Sequence, residues 1–154
     1  MKVLITILLV TIGVNYATAQ KELTWYEDMD KAIRVSEKTG KPLLLFFTGS
    51  DWCGWCIRLQ NEVFRTPEFV KWAEENVVLV DLDFPRKKAQ DPKIKEQNQK
   101  LQQQFQVMGY PTVHFVTPLK KDKSYTFIPI GKSGYMKGGA SVWCADAEAK
   151  LGAK

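Results

Sequence analysis

The chain has 154 residues, of which 45% are hydrophobic and 25% charged. This suits one globular domain and excludes a disordered chain, a collagen-like repeat and a multi-span membrane protein. Lys and Arg number 22 against 17 Asp and Glu, a net charge of +5; the excess is mild and mixed with acids, so nucleic acid is not the default partner. Three cysteines are too few for a disulfide-stapled miniprotein.

Lys2 is followed by an uncharged apolar run over residues 3–14 and then by Ala17-Thr18-Ala19, a small-residue cleavage site. This pattern predicts a signal peptide over 1–19, cleaved after Ala19, and a single mature domain over 20–154. The apolar run is short for a membrane span; an uncleaved anchor is the alternative. Export, to a periplasm or to the outside, places the cysteines in an oxidising space.

Thr24 and Glu27 have the spacing of a capping box, and the pattern after them predicts a helix over 25–38, ended by Gly40 and Pro42. Leu43-Leu44-Leu45-Phe46-Phe47 predicts a strand buried on both faces. A helix is expected over 53–64, and Thr66-Pro67 starts another, since proline suits the first helical position. The β-branched stretch 77–83 predicts a second buried strand. Residues 86–104 are polar and basic; Ile94, Leu101 and Phe105 give a surface helix one narrow apolar stripe. A basic docking face for an acidic partner is the other reading of this stretch. Strands are expected over 112–116 and 125–130, joined across Lys120-Lys121-Asp122-Lys123, and a last helix over 141–150. The order α-β-α-β-α-β-β-α predicts parallel crossovers followed by an antiparallel end.

The chemistry-bearing motif is Trp52-Cys53-Gly54-Trp55-Cys56. A cysteine at the junction of a strand and a helix meets free N–H groups and the positive end of the helix dipole, which favour a thiolate. Cys56, one turn on, can attack Cys53 sulfur and close a disulfide. Cys53 is therefore the candidate nucleophile and Cys56 the resolving thiol, in a cycle that can reduce, oxidise or isomerise disulfides. Dithiol chemistry of this kind requires no cofactor and no metal. Two blander readings stand beside it. A static disulfide across so short a loop stabilises little. A zinc site needs two further ligands, for which Cys144 and His114 are the Cys and His candidates.

Together with Gly109-Tyr110-Pro111-Thr112 far downstream, this motif resembles the thioredoxin superfamily, over nearly all of the predicted mature chain. Lys41-Pro42-Leu43 and Gly49-Ser50-Asp51-Trp52-Cys53 are similar to small exported bacterial thioredoxin-like proteins. The resemblance implies an α/β thioredoxin-like fold, a mixed sheet of about four strands between helices in a three-layer sandwich. It implies a cis bond before Pro111, a Tyr110 backbone offered to a substrate strand, and exclusion of metal from the dithiol. Partners would be cysteine-containing protein substrates and a redox partner that donates or accepts electrons, in the membrane or outside it. Trp55 is the candidate for substrate contact; Trp52 is expected to pack under the active-site loop, and Trp25, Trp72 and Trp143 to build the core.

The family's buried carboxylate on the strand before the motif is missing, since residues 43–47 hold no acid. Asp81, on the neighbouring strand, is the candidate replacement, accepting the proton of Cys56. Rivals outside this enzyme class are a peptide-binding module with structural cysteines and a metal chaperone.

Overall fold

The computed structural model describes residues 23–122 and 124–152. The apolar run and the predicted cleavage site after Ala19 lie outside them. Five strands form one sheet in the order β1-β3-β2-β4-β5. β1 is Trp25–Tyr26, β2 Leu43–Thr48, β3 Val78–Asp83, β4 Thr112–Lys121 and β5 Ser124–Ser133. β1, β3 and β2 run parallel, and β4 and β5 complete the sheet antiparallel. The thioredoxin-like α/β architecture stands, with one strand more than the four expected.

The additional strand is the start of the predicted first helix. Trp25 and Tyr26 pair with Leu79 and Val80, because the edge of β3 offers unpaired backbone groups that a local apolar period cannot anticipate. Helix α1 therefore covers Met29–Thr39. Its N-cap is Asp28, whose carboxylate accepts the Lys31 N–H at 3.0 Å, and not Thr24. It closes on Gly40 at φ 71°, a left-handed cap that suits glycine.

Helix α2, Gly54–Leu59, continues without a break into a π-helical turn over Gln60–Phe64. Helix α3, Pro67–Asn76, is capped by Thr66, whose hydroxyl accepts the Phe69 N–H. Helix α4 is Pro92–Gln104. It starts six residues later than expected because 86–88 are held as a loop and Asp91 supplies the cap. The β4–β5 ribbon runs further than expected. Beyond Val116, β4 has no β2 partner, so Pro118 lies where no second ladder needs its missing N–H. Helix α5 is Gly139–Gly152.

Side chains alternate across the sheet and build two cores. Leu44, Phe46, Leu79, Val113 and Phe115 meet Cys53, Cys56 and residues of α2, α3 and α5 on one face. Leu43, Leu45, Phe47, Val80 and Val116 meet α1 and α4 on the other. Trp143, wholly buried, is in ring contact with Phe64, Phe69 and Trp72. Trp25 packs on the rim of this core beside Phe46 and Phe64. No helix among the described residues is long and apolar enough to cross a membrane.

Candidate active site

Cys53 sits where β2 ends and α2 begins. Its backbone is extended, φ −87° and ψ 100°, which makes it the N-cap of α2. Cys53 and Cys56 form a disulfide. The Cys56 N–H donates to Cys53 Sγ at 3.2 Å. Cys53 is 7% exposed and Cys56 0%, so Cys53 is the more accessible of the pair. The second cysteine is shielded by the core that receives it.

The Tyr110–Pro111 bond is cis. The bend is anchored by the Thr112 hydroxyl, which donates to the Gly109 carbonyl at 2.8 Å. Tyr110 places its ring edge-on to Trp52 at 5.7 Å, and its hydroxyl accepts from Gln102 at 2.7 Å. The downstream loop thus stands directly against the residue that precedes Cys53. Next to it, Met108 is 96% exposed.

The two tryptophans of the motif have different surroundings. Trp52 folds back over Gly49, where a Cβ would lie 2.4 Å from the indole; only glycine leaves the room. Its Nε1–H donates to the Phe84 carbonyl at 2.8 Å, and the Arg86 guanidinium covers its ring at 3.7 Å. The approach loop is also sewn to the segment after β3. The Ser50 N–H and hydroxyl donate to the Asp83 carboxylate at 2.8 and 2.5 Å. The Asp51 carboxylate accepts the N–H groups of Arg86, Lys87 and Lys88, and these bonds hold it below the usual carboxylate range. Trp55, in contrast, is 55% exposed. It lies 5.0 Å from the Tyr135 ring and 5.5 Å from the Arg58 guanidinium. Glu62 binds both of these neighbours, at 2.6 Å from Arg58 and 2.7 Å from the Tyr135 hydroxyl.

Asp81 pairs in register with Phe46, and strand alternation points it to the sheet face that carries the cysteines. Its Oδ1 is buried without a hydrogen-bond partner. Burial, and then the charges of Asp83 and Glu27 against the opposing Lys88, push its carboxyl up to about 7. A cavity of about 250 Å³ lined by Glu27, Asp81, Asp83 and Lys88 opens beside it.

Other candidates lie elsewhere. His114 pairs with Leu45 on β4, and its ring contacts Phe47 and Phe105 on the opposite face of the sheet from the cysteines. Burial lowers its pKa. Cys144 is a free, buried thiol of α5, pushed up to about 11 by burial. Among the described residues no three His, Cys, Asp or Glu side chains converge as a metal site.

Sequence reasoning missed Arg86, Asp51, Glu62 and Tyr135. The Trp55–Arg58–Glu62 spacing of three and four is legible as one helix face. The contacts of Asp51 and Arg86 span 35 residues and leave no local pattern.

The family model described as thioredoxin-like matches residues 24–118. The chain is 32% identical over 133 residues to the disulfide bond reductase DsbH of Chlamydia pneumoniae, covering 86% of this chain and 75% of that protein. A solved DsbH oxidoreductase superposes with TM-score 0.77 at 30% identity, covering 87% of this chain and 88% of that one. The thioredoxin-related protein DsbJ of Chlamydia pneumoniae is 33% identical over 58% of this chain, which spans 26% of that relative. A thioredoxin from Thermus thermophilus shares the fold, with TM-score 0.58 at 19% identity over 85% of this chain and 91% of that one. Dithiol motif, downstream proline loop, fold and relatives agree: the chain belongs to the thioredoxin-like family, as a thiol–disulfide oxidoreductase.

Proposed function

We propose that the protein is an exported reductase of protein disulfides, working through Cys53 and Cys56. The observation that carries the exchange chemistry, in either direction, is the placement of Cys53, the more exposed cysteine, at the N-cap of α2 with the Cys56 N–H already directed at its sulfur. Reduction of the internal disulfide leaves a Cys53 thiolate facing that donor and the positive helix end, both of which favour it. The name of the DsbH relative supports the reductive direction.

In the cycle, Cys53 thiolate attacks one sulfur of a substrate disulfide. A Cys53–substrate disulfide forms, and the first substrate thiolate leaves and takes up a proton. Cys56 loses its proton and attacks Cys53 Sγ, releasing the second substrate thiolate and closing the internal disulfide. The second substrate thiolate takes up a proton as well, matching the one Cys53 gave to water on ionising, so overall the dithiol loses two electrons and two protons and the substrate gains both. Asp81, a carboxyl poised near neutrality on the same side of the sheet, takes the Cys56 proton in this reading. The substrate lies along the Tyr110–Pro111 backbone as an added strand, with Trp55 as its aromatic contact. A separate dithiol donor returns the electrons. Residues 1–19 direct export and are removed after Ala19.

The test is the reduction potential of the Cys53–Cys56 couple in glutathione buffers. The reductase reading expects a value toward the thioredoxin end, about −270 mV; a value near −120 mV would make the protein a disulfide donor. Cys56→Ser should accumulate the Cys53–substrate disulfide, seen as a mass shift, and Cys53→Ser should abolish exchange.

A further inference from the structure

Each tryptophan of Trp52-Cys53-Gly54-Trp55-Cys56 carries an arginine on its ring. Arg86 stands over Trp52 and Arg58 beside Trp55, so the tryptophan on each side of Cys53 in the motif has a guanidinium against it. Arg86, Lys87 and Lys88 are consecutive and exposed, and the bonds of their own backbone N–H groups to Asp51 hold them there.

The acids of this rim are engaged in building it. Asp51 is occupied by those three N–H groups, Asp83 by Ser50, and Glu62 by Arg58 and Tyr135. Lys88 approaches Asp83 only at 4.0 Å. Among the described residues the side chains of Arg86 and Lys87 make no salt bridge. Arg58 is paired with Glu62, so the rim cations left facing solvent are those of Arg86 and Lys87, and the exposed Trp55 and Met108 are uncharged.

We infer that this rim selects disulfide substrates whose cysteines are flanked by Asp or Glu. The inference rests on the reductase reading and names the substrate class of that site. A segment laid along the Tyr110–Pro111 backbone runs beside Trp52, whose ring Tyr110 contacts, and so brings its flanking residues to the Arg86 that covers Trp52 and to the adjoining Lys87. Attraction over this range raises the encounter rate and is screened by salt. No new chemical step is added: the peptide disulfide gains the two electrons and two protons that the Cys53–Cys56 dithiol gives up.

The test is single-turnover reduction by the pre-reduced protein, followed by tryptophan fluorescence. Three peptides carry the same disulfide with Glu, Gln or Lys flanks. Their rates with dithiothreitol correct for intrinsic reactivity. The expected order is Glu, then Gln, then Lys, with about a tenfold spread at low ionic strength that collapses toward unity at about 0.5 M salt. The double variant Arg86→Gln, Lys87→Gln should narrow the spread at least about threefold. Equal rates, a reversed order, a spread that salt does not reduce, or a double variant with the full spread would each overturn the inference. Failure to reduce even the Gln peptide would remove the reductase reading itself, and this inference with it. That result is distinct from equal rates on all three.

Discussion

Trp52 and Trp55 are the same residue three positions apart, on either side of Cys53, yet they belong to different kinds of structure. Trp52 is enclosed by Gly49, Tyr110, Arg86 and the Phe84 carbonyl. Trp55 stands largely in solvent beside Tyr135 and Arg58. The difference teaches how a small domain holds a reactive sulfur still while leaving it reachable. One flank is sewn through Ser50, Asp51 and Trp52 to a segment 32 to 37 positions away. The other is left open as contact surface. Carboxyl groups on both flanks are held below their ordinary value, Asp51 by backbone N–H groups and Glu62 first by Arg58 and then by Tyr135, whereas Asp81 in the sheet is pushed up by burial.

The largest expected effect concerns Asp81. Between about pH 4 and pH 7 its folded carboxyl keeps a proton that the unfolded chain has released. The native state thus binds more protons, so stability falls as pH rises through that window and levels off above it. Asp81→Asn should remove this slope, leaving the variant more stable by roughly 3 kcal/mol at pH 8 and little changed at pH 4. Urea denaturation at the two pH values measures it; identical slopes for both proteins would mean that Asp81 is ionised in the fold. In the proposed mechanism the same substitution slows release of the mixed disulfide near neutral pH.

Breaking the sewn flank comes next. Gly49→Ala places a methyl group inside the Trp52 indole, and the ring must leave its bond to Phe84. A loss of about 2 kcal/mol is expected, with a shifted tryptophan emission. Unchanged stability would show that this flank is as loose as the other.

Trp55→Ala sharpens the comparison with the smallest structural effect. Stability should stay within about 0.5 kcal/mol, while kcat/KM for a peptide disulfide falls about tenfold. An equal fall for dithiothreitol-sized and peptide substrates would argue against a contact with the peptide chain.

Much of this design is legible before folding. The run at 43–47, the Thr66-Pro67 start and the Gly40 stop lie where strand, cap and helix end are found, because each depends on neighbours a few residues away. The cysteine spacing is local in the same way, whereas the cis bond before Pro111 is expected only from the resemblance to the thioredoxin superfamily. Strand β1 was hidden because Trp25 fits a helical period equally well until the edge of β3 is present to pair with it.

The sequence by itself therefore determined which residues pair: two cysteines three apart, joined as a disulfide, the first at the start of a helix whose N–H groups no turn of its own can satisfy. Only the tertiary structure decided what surrounds them. Asp81 acquired its raised pKa from burial within the sheet, Trp52 its fixed ring from a loop some 32 residues on, and Arg86 its place over Trp52 with its backbone N–H held by the carboxylate of Asp51. Burial, screening and charge neighbours are properties of three-dimensional distance, and distance between remote residues is set by the packing of the sheet and not by their spacing in the chain.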